Sequence, residues 1–136
     1  MTLLVDTSVW SLALRRDAVP KQPEIAALKV ALAGSEVVVT TGLILQELLQ
    51  GFAGPKARKQ IIESFASLPL IQPDRDDHIA AAELRNVCRK VGVQLGTVDA
   101  LIAQLCITHN LTLLSTDKDF AHAAKHCNLK LWSTAT

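Results

Sequence analysis

The sequence predicts a single α/β domain in which helices cover both faces of a parallel sheet. Short apolar stretches rich in β-branched residues alternate with longer helical patterns along the chain, as is typical of parallel sheets with crossover helices. The length of 136 residues is that of one domain, because a domain typically has roughly 150 residues. The apolar content of 49% is sufficient for a core. We expect that core to be aliphatic, because only 4% of the residues are aromatic.

The first half of the chain begins with a strand predicted at residues 2–5, because a short apolar run without alternation suits a strand that is buried on both faces. A short helix over residues 9–14 leads into a loop at Pro20. Apolar residues at helical spacing predict the next helix over residues 23–34, with a proline at its start. Residues 36–40 are rich in β-branched types and predict the second strand.

The second half continues the alternation of strands and helices. Helical spacing predicts a long helix over residues 74–91, and its apolar stripe is predicted to contain Ala80, Leu84, Val87, Cys88 and Val91. Thr97 is expected to cap a buried helix over residues 98–108. The other elements are helices predicted at 43–50, 55–68 and 117–126 and strands predicted at 70–71, 111–115 and 129–132.

Composition and charge exclude several classes of protein. No stretch approaches the ~20 apolar residues that a membrane-spanning helix needs, and the chain start lacks the segments of a signal peptide. The three cysteines are far apart and form no CxxC pair, which indicates reduced thiols in a cytoplasmic protein. The net charge of +1 indicates that any contact with nucleic acid comes from local basic patches.

Four acidic residues follow predicted strands or lie near predicted helix starts. Asp6 and Asp117 come after strands, where an acid is also a common helix N-cap. Glu47 lies on the flank of an apolar helix face, where paired or partly exposed acids are common. These three therefore have a purely structural explanation. Asp99 lies among residues that look buried, and a buried charge needs a partner or a metal.

Taken together, the four acids predict a metal site. The carboxyl ends of parallel strands and the N-termini of the following helices meet at one edge of the sheet. Carboxylates converging there would repel one another and raise one another's pKa, unless they bind a hard divalent cation, which prefers oxygen ligands. The sequence contains no glycine-rich phosphate loop, so a nucleotide cofactor is not indicated.

The residues around these acids resemble those of the PIN-domain nucleases, and in particular the VapC-type toxins of bacterial toxin–antitoxin pairs. The matching segments, in order, are Leu-Leu-Val-Asp6-Thr-Ser8-Val-Trp, Gln-Glu47-Leu, Val-Asp99-Ala-Leu-Ile-Ala and Leu-Leu-Ser-Thr116-Asp117-Lys-Asp119-Phe. They span the chain from end to end, in the order of the family and in a chain of its length.

The resemblance implies that residues 1–136 form one PIN-like domain, a three-layer α/β/α sandwich with a five-stranded parallel sheet in the order 3-2-1-4-5. It implies an endoribonuclease that hydrolyses RNA phosphodiester bonds with Mg²⁺ or Mn²⁺. It also implies an antitoxin partner and a homodimer. The residues carried over are the metal ligands and catalytic acids Asp6, Glu47, Asp99 and Asp117, and the supporting residues Ser8, Thr116 and Asp119.

The substrate RNA would need basic contacts, because phosphate neutralisation supplies much of the affinity. The candidates for these contacts are Arg15, Arg16, Lys56, Arg58, Lys59, Arg85, Arg89 and Lys118. Three other functions remain open at this point. They are a housekeeping PIN nuclease of RNA processing, a phosphotransfer domain, and a non-catalytic partner-binding module in which the acids only cap helices.

Overall fold

A computed structural model describes residues 1–15 and 22–134, and within these ranges the chain forms a five-stranded parallel sheet with helices on both sides. The strands are β1 (Thr2–Val5), β2 (Val37–Thr41), β3 (Leu70–Ile71), β4 (Thr112–Leu114) and β5 (Lys130–Leu131). The α-helices are α1 (Thr7–Leu14), α2 (Pro23–Val30), α3 (Gly42–Gly51), α4 (Pro55–Phe65), α5 (Arg75–Lys90), α6 (Thr97–Thr108) and α7 (Lys118–Ala123), and α2 continues into a π-helical turn at Ala31–Ser35. The order β3-β2-β1-β4-β5 confirms the predicted fold. Arg16 and the loop predicted at Pro20 lie outside the described residues.

Strand β1 lies at the centre of the sheet, between β2 and β4. Leu4 is in parallel register with Val39 of β2 and with Leu113 of β4. Leu3, Leu4 and Val5 are at most 1% exposed. An apolar run without alternation is therefore explained by burial on both faces, as the sequence predicts.

The carboxyl edge of the sheet positions two of the acidic residues. Asp6 follows β1 directly, and its backbone N–H donates to the carbonyl oxygen of Leu114 at 2.9 Å. Strand β2 ends at Thr41, whose Oγ1 accepts a hydrogen bond from the N–H of Ile44 at 3.3 Å and so caps α3. Because this cap begins the helix without an intervening loop, Glu47 lies in the second turn of a helix that starts at the same edge.

Helix α5 packs differently from the prediction. Val87 and Val91 are 48% and 51% exposed, so their assignment to the apolar stripe is wrong. A capping box between Asp74 and Asp77 begins the helix. The buried residues of the helix are spaced three or four positions apart, starting in this capping box, and are Asp77, Ala81, Leu84 and Cys88. Leu84 and Cys88 therefore face the core as predicted, and only the assignment of the two valines fails.

Helix α6 begins one residue earlier than predicted. Gly96 occupies the N-cap position and Thr97 is the first helical residue, without a capping hydrogen bond from its side chain. The predicted Thr97 cap is therefore wrong. The helix is largely buried between Ala100 and Cys106, as expected. None of the helices within the described ranges combines the length and apolar character that a membrane span requires.

Candidate functional site

Two serine hydroxyls hold the carboxylate of Asp6. Ser8 Oγ and Ser115 Oγ both donate to Asp6 Oδ2, at 2.8 and 2.9 Å. Asp6 is only 8% exposed. It occupies the N-cap position of α1, but its side chain makes no capping hydrogen bond. The structural explanation of Asp6 as a helix cap is therefore not supported, and its second oxygen, Oδ1, accepts no hydrogen bond from the described residues.

Asp99 lies in the first turn of α6 and is half-buried. Its carboxylate has no hydrogen bond or ion pair with any of the residues that the structure describes. The pKa of Asp99 is raised to about 6, first by partial burial and then by repulsion from the carboxylates of Asp6, Asp117, Glu47 and Asp119. The four carboxylates named by sequence motif and the neighbouring Asp119 therefore lie in one electrostatic cluster. We call these five residues the acidic cluster.

The other members of the acidic cluster are held by short local contacts. Glu47 is exposed on α3 and accepts a hydrogen bond from Thr7 Oγ1 at 3.0 Å. Asp117 caps α7, since its Oδ1 accepts from the N–H of Asp119 at 2.9 Å. The capping explanation of Asp117 is thus correct, but it does not separate this residue from the cluster, because the same carboxylate acts on Asp99.

Sequence reasoning missed the role of Ser115. Its Oγ donates to Asp6 and also accepts from the N–H of Asp117 at 3.0 Å, so it joins the ends of β1 and β4. Thr116 contributes through its backbone N–H, which donates to Ser8 Oγ at 3.2 Å. The register that pairs Val5 with Leu114 places residue 115 beside Asp6. Ser115 is therefore recognisable only once the pairing of these two strands is known.

The acidic cluster meets the chemical requirement for a hard divalent cation. It offers carboxylate oxygens alone, which Mg²⁺ and Mn²⁺ prefer, and Asp99 and Asp6 Oδ1 lack hydrogen-bond donors among the described residues. Within residues 1–15 and 22–134, however, no three Asp, Glu, His or Cys side chains are grouped closely enough to hold a metal ion as they stand. The carboxylates thus lie close enough to repel one another, but within the described residues they do not form a complete set of metal ligands.

Two of the eight basic residues that are candidates for RNA binding lie beside the acidic cluster. Arg85 and Arg89 line a cleft of about 400 Å³ together with Asp119. Arg15 is exposed at the end of α1, and Lys56 is exposed in the first turn of α4. Neither of these two lines the cleft.

Comparisons with known proteins agree with this geometry. A family model described as PIN domain matches residues 3–126. The chain is similar to a solved VapBC2 complex from Rickettsia felis (24% identity, 97% of this chain and 98% of that chain, TM-score 0.73). It is also similar to VapBC-1 from nontypeable Haemophilus influenzae (19% identity, 98% of this chain and 98% of that chain, TM-score 0.71). A third similar structure is VapC20 of Mycobacterium tuberculosis, a toxin that cleaves the sarcin–ricin loop (20% identity, 89% of this chain and 94% of that chain, TM-score 0.68). The comparison with curated proteins gave no match. At these identities the likenesses to solved structures establish the fold.

Proposed function

Because the chain belongs to the PIN domain family, we propose that it is a metal-dependent endoribonuclease that acts as the toxin of a toxin–antitoxin pair. The observation that carries the chemistry is the half-buried Asp99, which has no hydrogen-bond partner among the described residues and is repelled by four other carboxylates. A folded protein keeps such a destabilising arrangement where function requires it. Structural neighbours from three organisms that are toxins or toxin–antitoxin complexes support the biological role.

In this proposal four acids would hold Mg²⁺ or Mn²⁺, namely Asp6, Glu47, Asp99 and Asp117, and Asp119 would act directly or through water. Such a cation, when bound, supplies a water of lowered pKa for attack on phosphorus and neutralises charge on the phosphate. The chain's own contribution is positional. Ser8 and Ser115 fix one oxygen of Asp6 and leave the other free. Above pH 6, Asp99 is ionised and available as a ligand.

The proposed partners are an antitoxin and a second copy of the chain. VapBC complexes similar over nearly the whole chain favour a toxin over a housekeeping nuclease of RNA processing. The three cysteines are free thiols, which supports an expected location in the cytoplasm. An antitoxin would suppress cleavage, and the purified toxin must be free of it when its activity is tested.

The proposal is tested by incubating the purified protein with total RNA, with Mg²⁺, with Mn²⁺ or with EDTA, and by mapping new RNA ends. We expect a few discrete cuts that require the cation. If the folded, antitoxin-free protein cuts no RNA with either cation, the acidic cluster has another role and a partner-binding module becomes the better explanation.

Ser115→Ala is expected to slow RNA cleavage by about 10- to 100-fold, the range typical of residues that orient metal ligands. The substitution removes the hydroxyl that donates a hydrogen bond to the Asp6 carboxylate and accepts one from the backbone N–H of Asp117. Initial cleavage rates at saturating Mg²⁺ measure the effect. The exposed Ser67→Ala is the matched control and should cleave at the wild-type rate; equal rates for the two variants would show that Ser115 does not position Asp6.

A further inference from the structure

Helix α5 contributes two arginines to a cleft beside the acidic cluster. Arg85 and Arg89 are one helical turn apart. They line a cleft of about 400 Å³ together with residues 93–96 and Asp119. This volume lies within the range of ~300–1,000 Å³ that is usual for ligand sites.

Arg85 is anchored so that its charge remains available. Its Nε donates to the carbonyl oxygen of Leu95 at 2.9 Å, which fixes the guanidinium and leaves its terminal N–H groups free. Arg89 is exposed. Neither arginine forms an ion pair with an acid in the described part of the chain. The cleft therefore presents two positive charges and the single negative charge of Asp119, and among the described residues neither arginine is held in an ion pair.

Two residues connect this cleft to the acidic cluster. Gly96 lines the cleft, and a Cβ atom at this position would lie 4.0 Å from Asp99 Oδ2. Asp119 also lines the cleft, and its charge contributes to the raised pKa of Asp99. The two arginines thus lie directly beside the acidic cluster. An RNA backbone that passes over both would place one phosphate at the carboxylates, where a cation can bind, and a neighbouring phosphate at the arginines.

We propose that this cleft binds a backbone phosphate of the RNA strand next to the phosphodiester that is cut. Arg85 is the fixed phosphate ligand and Arg89 is the adaptable one. The inference rests on the proposed function, which supplies the RNA. Guanidinium groups suit this role because their fork of N–H donors matches two phosphate oxygens. Such contacts position the strand and do not read its bases.

The test measures RNA binding separately from RNA cleavage. A fluorescein-labelled oligouridylate is titrated with the Asp99→Asn protein in Mg²⁺ buffer at several salt concentrations, with and without Arg89→Gln. Loss of one phosphate contact should reduce the slope of log K against log[salt] by about 0.7, the value for single strands, and weaken binding several-fold at low salt. Arg89 makes no ion pair with the described residues, so this substitution should leave the fold intact.

Arg75→Gln is the matched control, since Arg75 is exposed on the same helix and lies about 21 Å from Arg89 at 1.5 Å per residue. It should leave the slope unchanged. Arg85→Lys keeps the charge but loses the Nε donor, and should retain the slope while raising KM for cleavage in an otherwise wild-type chain. Equal slopes for Arg89→Gln and Arg75→Gln would overturn the phosphate site.

The phosphate site and the nuclease function can fail independently, and different results would show each failure. Metal-dependent cleavage by the wild type, with equal salt slopes for Arg89→Gln and Arg75→Gln, would support the nuclease function and contradict the phosphate site in the cleft. A reduced slope for Arg89→Gln, without cleavage by the wild type, would support the phosphate site and contradict the nuclease.

Discussion

Asp99→Asn is expected to abolish RNA cleavage and to leave the fold unchanged. Asn keeps the shape of the side chain but removes its negative charge, and a neutral amide oxygen attracts a divalent cation more weakly than a carboxylate does. Residues that only orient metal ligands typically contribute 10- to 100-fold, so the loss of a ligand should exceed about 100-fold. Asp6→Asn should have the same effect, because Asp6 is a buried acid of the cluster and two serine hydroxyls hold one of its oxygens while the other accepts no hydrogen bond from the described residues.

The control for this substitution is Asp76→Asn, an exposed acid in the first turn of α5. Cleavage rates are compared at saturating Mn²⁺, and circular dichroism establishes that every variant is folded. Asp76→Asn should retain wild-type activity. Full activity in both Asp99→Asn and Asp6→Asn would contradict the assignment of the acidic cluster as the catalytic site.

Without metal, the stability of the wild-type protein relative to Asp99→Asn is expected to fall as the pH rises from 4 to 6. The pKa of Asp99 is about 6 in the folded protein, against an ordinary value of 3.8. Between these values the folded state holds a proton that the unfolded state has released, so the free energy of unfolding falls as pH rises. Because Asp99 is only half-buried, the full linkage energy is discounted for solvent screening to about 1 kcal/mol.

Urea unfolding in EDTA at pH 4 and pH 7.5 measures this difference. At pH 7.5 the Asn variant should be more stable than the wild type by about 1 kcal/mol, and the difference should narrow at pH 4. Added Mn²⁺ should stabilise the wild type, because a ligand that binds only the folded state shifts the equilibrium towards it, and should stabilise the variant less. A wild type that is as stable as Asp99→Asn at pH 7.5 would show that repulsion within the cluster is negligible.

Much of the site was predictable because topology alone brings its acids together. The unalternating run before Asp6 predicts a central buried strand, and β1 is that strand. Parallel strands place Asp6 and Asp117 at one edge whatever the details of packing. The apolar neighbours of Asp99 predict that its charge needs a compensating group, and its carboxylate has no hydrogen bond from the described residues.

The rest depended on contacts between distant segments. Ser115 and Thr7 look like ordinary hydroxyl residues in the sequence, and only the pairing of β1 with β4 and the approach of α3 to α1 bring them to Asp6 and Glu47. In α5, the apolar pattern places the neighbours Val87 and Cys88 on one predicted stripe. The observed packing buries Cys88 and leaves Val87 exposed, and the pattern alone does not distinguish the two.

The most direct measurement is a calorimetric titration of the metal-free protein with Mn²⁺ at pH 7.5 and at pH 5, beside Asp99→Asn. We expect saturable binding by the wild type, weaker binding at pH 5 where protons compete for Asp99, and little binding by the variant at either pH. Identical isotherms for the two proteins, or no binding by the folded wild type, would contradict the claim that these carboxylates form a divalent-cation site.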